Sequence, residues 1–260
     1  MFQKKSLGQN FLKSPKIVGK IAGAGDIEQG EKVLEIGPGE GILTKALLDK
    51  GAIVYAIEKD YRLIPIISEK FSKEIAEKKL FLIHGDILEL SLSQIGINDD
   101  YKIIANIPYY ITGLVIRKFL EQEKQPKTIV LLVQNEVADR ICAKDGKESL
   151  LSISVKAYGD VKDEGLVKRG NFLPVPNVDS AILSIKDISK KLFIDNKIDE
   201  KRFFEIIKRG FAEKRKMLRP KMRELTEKNI DEVFDKLSID KKIRAEKVDL
   251  KKWAMLAKEL

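Results

Sequence analysis

The sequence predicts an α/β fold, in which a mostly parallel sheet carries helices on both faces and a small all-helical unit follows. Short apolar runs alternate with helical patterns along the first part of the chain, as is typical of parallel strands joined by crossover helices. The segment VLEIGPGEGILTKALL, Val33–Leu48, leads from an apolar strand through a glycine-rich turn into a helical pattern. Beyond about residue 190 the apolar residues have helical spacing only.

The first part of the chain contains the strands and helices of the predicted parallel sheet. The strands are short apolar runs at Lys32–Ile36, Ile53–Glu58, Leu80–His84, Tyr101–Ala105 and Thr128–Val133. Helical patterns precede and separate them at Lys16–Ala24, Ile42–Lys50, Tyr61–Ala76, Gly113–Glu123 and Glu136–Ala143. Because parallel strands need crossover connections of this kind, the order of elements predicts a sheet with helices on both faces.

The end of the sheet is predicted to differ from its beginning. After a further helix at Leu150–Tyr158, two β-rich runs, Asp163–Lys168 and Ser180–Lys186, flank the segment NFLPVPNVD. The prolines and asparagines of this segment are typical of a loop between antiparallel strands. We therefore expect the last strand to run antiparallel.

A polar stretch at residues 187–199 marks the expected boundary between two domains, residues 1–190 and residues 191–260. The second domain begins with a predicted helix whose apolar stripe is formed by Phe204, Ile207, Phe211 and Leu218. Cations recur every seven residues on another face of this helix, at Arg202, Arg209 and Lys216. Pro220 should end or kink the helix, because proline lacks the N–H that the next turn requires.

Two shorter amphipathic helices are predicted near the C-terminus, at Asp231–Leu237 and Leu250–Leu260. Asp249 precedes the second of them and is a suitable N-cap, since its carboxylate can accept from the first backbone N–H groups.

The composition is that of a soluble globular protein, with 43% hydrophobic and 34% charged residues among 260. The only cysteine, Cys142, excludes an intrachain disulfide and a zinc site built from cysteines. A single histidine, His84, excludes a histidine metal cluster, so we expect no metal. No apolar run approaches the roughly 20 residues of a membrane span, and the polar start has no signal-peptide core. We expect a cytoplasmic monomer with no membrane partner.

The positive charge is concentrated in the C-terminal part of the chain. Of the net charge of +9, the segment Lys186–Leu260 carries +8, with 23 lysines and arginines against 15 acidic residues. A near-neutral body joined to a basic unit indicates a polyanionic partner held by the second unit. The alternative is a solvated, lysine-rich surface.

Polar residues or glycines end the first four predicted strands, at Gly37, Glu58, Asp86 and Asn106. Because ligands of open parallel sheets bind beyond the carboxyl ends of the strands, these residues are expected in one crevice. Glu58 is suited to accept hydrogen bonds from both hydroxyls of a ribose, and Asp86 from the exocyclic amine of a purine. The spacing G-x-G-x-G departs from the dinucleotide fingerprint G-x-G-x-x-G, which disfavours NAD.

The tetrapeptide Asn106-Ile107-Pro108-Tyr109 follows the fourth strand and indicates a site for an amine. The amino group of adenine is a poor nucleophile, because its lone pair is delocalised into the ring. An asparagine oxygen and a backbone carbonyl directed by Pro108 can accept both N–H bonds and favour a tetrahedral nitrogen. Tyr109 can stack on a base that has left its duplex. In isolation, an ordinary N-x-P turn would explain the same residues.

These motifs closely resemble those of the small-subunit ribosomal RNA adenine N6,N6-dimethyltransferases. The matching segments follow the family's order over nearly the whole chain: KKSLGQNFL, VLEIGPGEGILT, AIEKD, GDIL, NIPYYIT, VQNEVADRI, FLPVPNVDSAIL, FFEIIKRGFAEKRKMLR and RAEKVDLKKW. The resemblance implies a Rossmann-like class I methyltransferase sheet and S-adenosylmethionine as methyl donor, with S-adenosylhomocysteine as product. It also implies that Asn106, Pro108 and Tyr109 form the catalytic motif.

The resemblance assigns further roles to individual residues. The donor is expected to contact Asn10, Leu12, Gly37, Gly39, Glu58, Asp86 and Asn106. Phe172, at the family's F-x-P position, is expected to cover the second face of the target adenine. The charge asymmetry, independently of the resemblance, predicts that Arg202, Arg209 and Lys216 bind RNA. The implied targets are two adjacent adenosines near the 3′ end of 16S rRNA, within an assembling 30S particle.

Three alternatives are set against this interpretation. The erythromycin-resistance methyltransferases of large-subunit RNA share the glycine turn and N-I-P-Y but lack the K-R-K-x-L-R helix and the R-A-E ending. A NAD-dependent oxidoreductase would need G-x-G-x-x-G. A non-catalytic RNA-binding factor would tolerate a broken N-x-P-Y motif, which is intact here. Two departures from the family, Tyr110 and the segment Ser149-Leu150-Leu151, concern the placement of the RNA strand.

Overall fold

The computed structural model describes residues 10–213 and 215–260. This part of the chain forms two compact units, one with the described residues up to Ala138 and Lys162–Ile188, the other with Asp139–Val161 and Ser189–Leu260. The segment Asp139–Val161 therefore belongs with the C-terminal residues. The assignment of a methyltransferase domain to residues 1–190 and of an RNA-binding domain to residues 191–260 stays a prediction.

The strands of the described residues form a large sheet and a small ribbon. They are β1 (Phe11–Leu12), β2 (Lys32–Ile36), β3 (Ile53–Glu58), β4 (Leu80–His84), β5 (Tyr101–Ala105), β6 (Thr128–Gln134), β7 (Asp160–Val167), β8 (Phe172–Leu173) and β9 (Ser180–Lys186). The large sheet has the order β4-β3-β2-β5-β6-β9-β7, and β1 pairs with β8 in the ribbon. Strands β2 to β6 are parallel, whereas β9 runs antiparallel to β6. The predicted sheet, with its antiparallel last strand, is confirmed.

The helices of the described residues alternate with the strands and then follow them. They are α1 (Pro15–Ala24), α2 (Ile42–Asp49), α3 (Ile64–Lys70), α4 (Ser72–Ala76), α5 (Leu92–Ile95), α6 (Thr112–Glu121), α7 (Asn135–Cys142), α8 (Leu150–Lys156), α9 (Lys191–Asn196), α10 (Glu200–Phe211), α11 (Leu218–Arg223), α12 (Ile230–Lys236) and α13 (Leu250–Glu259). Asp249 caps α13 as predicted, accepting from the Lys252 N–H over 2.8 Å.

The site lies where the order of the strands reverses. β2 pairs with β3 on one side and with β5 on the other, so the connections of these strands leave the sheet in opposite directions. All residues of β5 are buried, as are Val33, Leu34 and Ile36 of β2. Parallel strands covered on both faces are apolar along their length, so these strands could be recognised in the sequence as continuous apolar runs.

The prediction of a single helix at Tyr61–Ala76 is wrong, because this stretch contains two shorter helices, α3 and α4. Pro65 lies in the first turn of α3, where the absent N–H of a proline costs no hydrogen bond. The break falls at Phe71, whose ring is buried beside Gly41. A Cβ at Gly41 would lie 2.4 Å from the Phe71 ring, so the aromatic ring and the glycine turn are packed against each other.

The predicted long helix of the second domain is also wrong. α10 ends at Phe211 and a separate helix, α11, begins at Leu218. Leu218 N–H donates to the carbonyl of Ile243 over 2.8 Å, so a distant segment takes a hydrogen bond that a continuous helix would have used. Pro220 lies in the first turn of α11, where a proline is tolerated. Lys216 therefore lies beyond the helix that carries Arg202 and Arg209.

Candidate active site

A cavity opens at the carboxyl ends of β2, β3 and β5. Nine of the predicted site residues line it: Asn10, Leu12, Gly37, Gly39, Glu58, Asp86, Asn106, Pro108 and Tyr109. They come from separate parts of the chain, and the parallel sheet brings them together because its strands end at the same edge. All of them belong to the first unit.

The glycine turn forms one wall of the cavity. Gly37 and Gly39 have φ angles of 67° and 60°, in the left-handed region that side chains with a Cβ rarely adopt. A Cβ at Gly39 would also lie 2.9 Å from the ring of Phe11. The turn therefore exposes backbone N–H groups at the start of α2, where a ligand can approach closely.

Glu58 ends β3 and lies almost completely buried beside the turn. Its carboxylate accepts from the Asp60 N–H over 2.8 Å and from the Gly39 N–H over 3.2 Å. Burial raises the pKa of Glu58 above its ordinary value, and the bonds from these two N–H groups oppose the increase. Each oxygen retains lone-pair capacity for a ligand hydroxyl.

Glu35 is a cavity residue that the sequence analysis did not select. It lies on β2, is 1% exposed, and accepts from the Thr44 hydroxyl over 2.6 Å. Burial raises the pKa of Glu35 to about 8, with the Thr44 bond opposing and the nearby Glu58 carboxylate adding to the increase. Glu35 is consequently protonated at neutral pH. An acidic residue within an otherwise apolar strand was the available signal.

Asp86 follows β4 and is held in place by two donors. Lys59 Nζ lies 2.6 Å from one carboxylate oxygen, and the Leu88 N–H donates to the other over 2.9 Å. Burial alone would raise the pKa of Asp86, but these bonds outweigh burial and hold it below the usual range. Asp86 is therefore an ionised acceptor at the cavity wall.

The loop after β5 presents several possible acceptors to the cavity. Asn106 Nδ2 donates to the backbone carbonyl of Asn10 over 3.1 Å, which leaves its side-chain oxygen to accept. The Pro108 carbonyl accepts from the Ile111 N–H over 3.1 Å. Among the described residues no backbone N–H reaches the carbonyl of Ile107. The structure thus adds Ile107 to Pro108 as a candidate for the second acceptor.

Tyr109 begins a short 3-10 turn, Tyr109–Ile111, at the edge of the cavity. Its hydroxyl lies 2.7 Å from the hydroxyl of Ser180, which is fully buried at the start of β9. Burial raises the pKa of Tyr109, and the Ser180 bond opposes this. The bond restricts how the ring can tilt at the cavity wall.

Comparison with known proteins identifies the family. The profile of a family described as Ribosomal RNA adenine dimethylase matches residues 2–260. A "Ribosomal RNA small subunit methyltransferase A" of Dehalococcoides mccartyi is 38% identical, with 98% of this chain and 88% of the relative covered. A protein of the same name from Fusobacterium nucleatum is 37% identical, with 98% and 96% covered. The chain belongs to the ribosomal RNA adenine dimethylase family.

Solved structures agree with this assignment. A dimethyladenosine transferase from Plasmodium falciparum superposes with a TM-score of 0.81 at 27% identity, over 95% of each chain. The 23S rRNA methyltransferase ErmE superposes with a TM-score of 0.78 over 96% of this chain and 99% of its own. At 24% identity ErmE shares the fold alone. The predicted Rossmann-like methyltransferase fold and the predicted family are confirmed.

Phe172 is one predicted residue that the structure does not bring into the cavity of this dimethylase. Its side chain is 1% exposed and belongs to the hydrophobic core, beside its β1 partner Leu12. Because alternate residues of a strand point to opposite faces, the neighbouring Leu173 is the exposed one, at 48%. The position of Phe172 does not support the expected contact with the target adenine.

The three cations predicted to bind RNA in the dimethylase each have an acidic partner. Arg202 pairs with Glu205 over 2.7 Å and also donates to the carbonyl of Leu225. Arg209 pairs with Glu224, and Lys216 lies 2.5 Å from Glu213. All three cations therefore have a partner within the second unit, and their role in RNA binding stays a prediction. Lys214 of the same basic run lies outside the described residues.

The described residues contain neither a membrane-spanning helix nor a cluster of metal ligands. No helix there is long and apolar enough to span a bilayer. No group of three or more His, Cys, Asp or Glu side chains in residues 10–213 and 215–260 is arranged to hold a metal ion.

Proposed function

We propose that this chain transfers methyl groups from S-adenosylmethionine to N6 of two adjacent adenosines near the 3′ end of small-subunit rRNA, giving N6,N6-dimethyladenosines. The observation that carries the proposal is the convergence of Glu58, Asp86 and the Asn106 side chain on one cavity. The relatives from Dehalococcoides mccartyi and Fusobacterium nucleatum are named as small-subunit methyltransferases, which supports the small subunit as the source of the RNA.

The residues of the cavity fit the methyl donor. The left-handed glycine turn provides a cradle in which a Cβ at Gly39 would collide with Phe11. Buried Glu58 is suited to the ribose hydroxyls, and ionised Asp86 to the amino group of the adenine ring. Asn10 and Leu12 line the same cavity and complete the expected binding site. When bound, S-adenosylmethionine supplies an electrophilic methyl group on a sulfonium.

The loop after β5 is suited to hold the target amine. The oxygen of Asn106 would accept one N–H, because its Nδ2 is already engaged by the carbonyl of Asn10. The second N–H would bond to the carbonyl of Ile107 or Pro108. Acceptors in this arrangement direct the nitrogen lone pair out of the ring plane, so catalysis rests on positioning rather than on a strong base. As the N–C bond would form, the S–CH3 bond would break to leave a neutral thioether, and the nitrogen, then cationic and acidic, would release one proton to water for each methyl group added. Tyr109 would stack on the extruded base.

A cationic face of the first unit supports binding of RNA beside the cavity. β1 lines the cavity, and Lys13 follows it directly. Lys13 and the α1 residues Lys16 and Lys20 are exposed, and none of the three forms an ion pair with a described residue. The first acidic residue of the chain is Asp26. We define Lys13, Lys16 and Lys20 as the α1 lysine row and propose that it contacts phosphates of the substrate strand.

The proposed reaction is tested with labelled methyl donor. Small-subunit particles from cells that lack this methylation should accept label at N6 of adenine, while large-subunit RNA should not. Label in large-subunit RNA alone would favour the erythromycin-resistance type instead. We also propose that the substrate is an assembling 30S particle, which is tested by comparing methylation of particles with methylation of naked rRNA. A cytoplasmic location and a monomeric state belong to the same proposal.

A further inference from the structure

Lys118 of α6 makes three hydrogen bonds to a single turn. Its ammonium donates to the carbonyls of Ile87, Leu88 and Leu90, over 2.7, 3.1 and 2.7 Å. An ammonium group has three N–H donors, so all of them are used on the backbone. The adjacent Arg117 is exposed instead, and within the described part of the chain it pairs only with Glu121, four residues along the same helix.

The turn that Lys118 holds is the one that follows β4 and begins at Asp86. The Glu89 and Leu90 N–H groups donate to the Asp86 carbonyl over 2.9 and 3.0 Å, which closes the turn. Its remaining carbonyls would need water as a partner if Lys118 were absent. Lys118 therefore determines which way these carbonyls point and, with them, the backbone between Asp86 and Leu90.

Two residues of this turn, Asp86 and Ile87, line the cavity. Ile87 is 3% exposed, so the turn is packed as well as hydrogen-bonded. The positive charge of Lys118 also helps to keep the pKa of Asp86 low, alongside the larger effect of Lys59. Burial in turn lowers the pKa of Lys118, opposed by the Asp86 charge. The lysine and the aspartate are thus coupled through both the backbone and their charges.

We propose that Lys118 is a positioning residue for the methyl donor, which acts by holding the 87–90 turn so that Asp86 faces the amino group of the adenine ring. The inference rests on the proposed function, since it takes the adenine of the donor to be the ligand of Asp86. A positioning role differs from a purely structural role in its consequence. Loss of Lys118 should weaken recognition of the amino group of the adenine ring, whereas a purely structural role would weaken binding of all ligands alike.

The test measures binding of two compounds to the full chain and to Lys118→Met, which keeps the length of the side chain but removes the charge and the donors. The compounds are S-adenosylhomocysteine and its 6-oxo purine analogue, in which an oxygen replaces the amino group. The parent should prefer the amino compound. In Lys118→Met the affinity for that compound should fall about tenfold, as expected for members of one hydrogen-bonded network. The affinity for the 6-oxo compound should change little.

Arg117→Met is the matched control, because it removes a cation from the next position of the same helix without touching the turn. It should keep the parental preference. In an Asp86→Asn background, Lys118→Met should cause no further loss of preference. If Lys118→Met does not fold, Lys118→Gln takes its place. Its neutral amide has two N–H donors in place of three, so the preference for the amino compound should fall in the same direction but by less.

The outcomes separate the inference from the proposed function. Equal losses for both compounds in Lys118→Met, or an unchanged preference, would overturn the positioning role while leaving the proposed function intact. A parent protein that bound neither compound would overturn the proposed function and the inference with it.

Discussion

Asn106 Nδ2 donates to the backbone carbonyl of Asn10 over 3.1 Å, across 96 residues of sequence. The bond joins the loop after β5 to the residue that precedes β1, and both line the same cavity. Because the nitrogen of the side-chain amide is engaged, the oxygen is the atom left for a ligand. The segment that contains Asn10, assigned to the methyl donor, and the segment that begins at Asn106, assigned to the target amine, are therefore joined directly in one cavity.

Glu58→Ala should weaken binding of the methyl donor. Loss of a buried acceptor leaves ligand hydroxyls unpaired, at a cost of about 1–3 kcal/mol. The Asp60 and Gly39 N–H groups also lose their partner, so the turn itself should loosen. Calorimetric titration with S-adenosylmethionine measures the effect, with exposed Glu69→Ala as control. Equal affinities for Glu58→Ala and the parent would remove Glu58 from the site.

Glu35 should make the stability of the protein depend on pH. Its pKa is raised from 4.5 to about 8 on folding, so between these values the folded state binds more protons than the unfolded state. The free energy of unfolding should therefore fall as pH rises through this window. Glu35→Gln removes the titrating carboxyl group. The free energy of unfolding of this variant, minus that of the parent, should therefore be larger at pH 8 than at pH 5, by on the order of 1–5 kcal/mol. Urea unfolding at the two pH values measures this. A difference that does not change with pH would contradict the raised pKa.

The bond between Tyr109 and Ser180 should govern capture of the target base. Tyr109→Ala should cost about 1–3 kcal/mol, the usual value for one stacked base. Tyr109→Phe and Ser180→Ala each remove only the hydroxyl contact, so both should raise KM for the particle substrate with little change in kcat. Combining these two changes should add nothing, because they break the same bond. Additive effects of the two changes would contradict the coupling.

The α1 lysine row should contribute to RNA binding. Changing Lys13, Lys16 and Lys20 together to Gln should make the slope of log affinity against log salt shallower, by about 0.7–0.9 per lost phosphate contact. Donor affinity should not change. A matched triple change of Lys50, Lys73 and Lys124, which lie outside the row, controls for net charge. The row would have no role if both triple variants shifted the slope equally or if neither did.

The parallel sheet and the cavity could be predicted from the sequence because their signals are local. β2, β3, β4 and β5 have the predicted bounds, since each is a short apolar run ended by glycine or a polar side chain. The polar residues at these ends then fall together by the geometry of a parallel sheet. The bond from Tyr109 to Ser180 spans 71 residues and could not be predicted in this way.

What could not be predicted depends on contacts between distant segments. α10 ends at Phe211, and at Leu218, where α11 begins, the backbone N–H bonds to the distant Ile243 rather than to a preceding turn. Arg209 pairs with Glu224, 15 residues away and just beyond the end of α11, so heptad spacing gave no indication of this partner. Lys118 reaches carbonyls 28 to 31 residues earlier. Side-chain spacing within a helix contains no information about such partners.

The central claim is that Asn106 acts on the target amine, and the single-turnover rate of Asn106→Ala tests it most directly. Glu58 and Asp86 are unaltered in this variant, so the donor should still bind, as titration with S-adenosylmethionine would verify. Methyl transfer to small-subunit particles should fall by about 10²–10³, the usual effect of losing one preorganised polar partner of a transition state. Asn98→Ala, an exposed asparagine outside the cavity, should transfer at the parental rate. An Asn106→Ala enzyme that also transferred methyl at the parental rate would contradict the account.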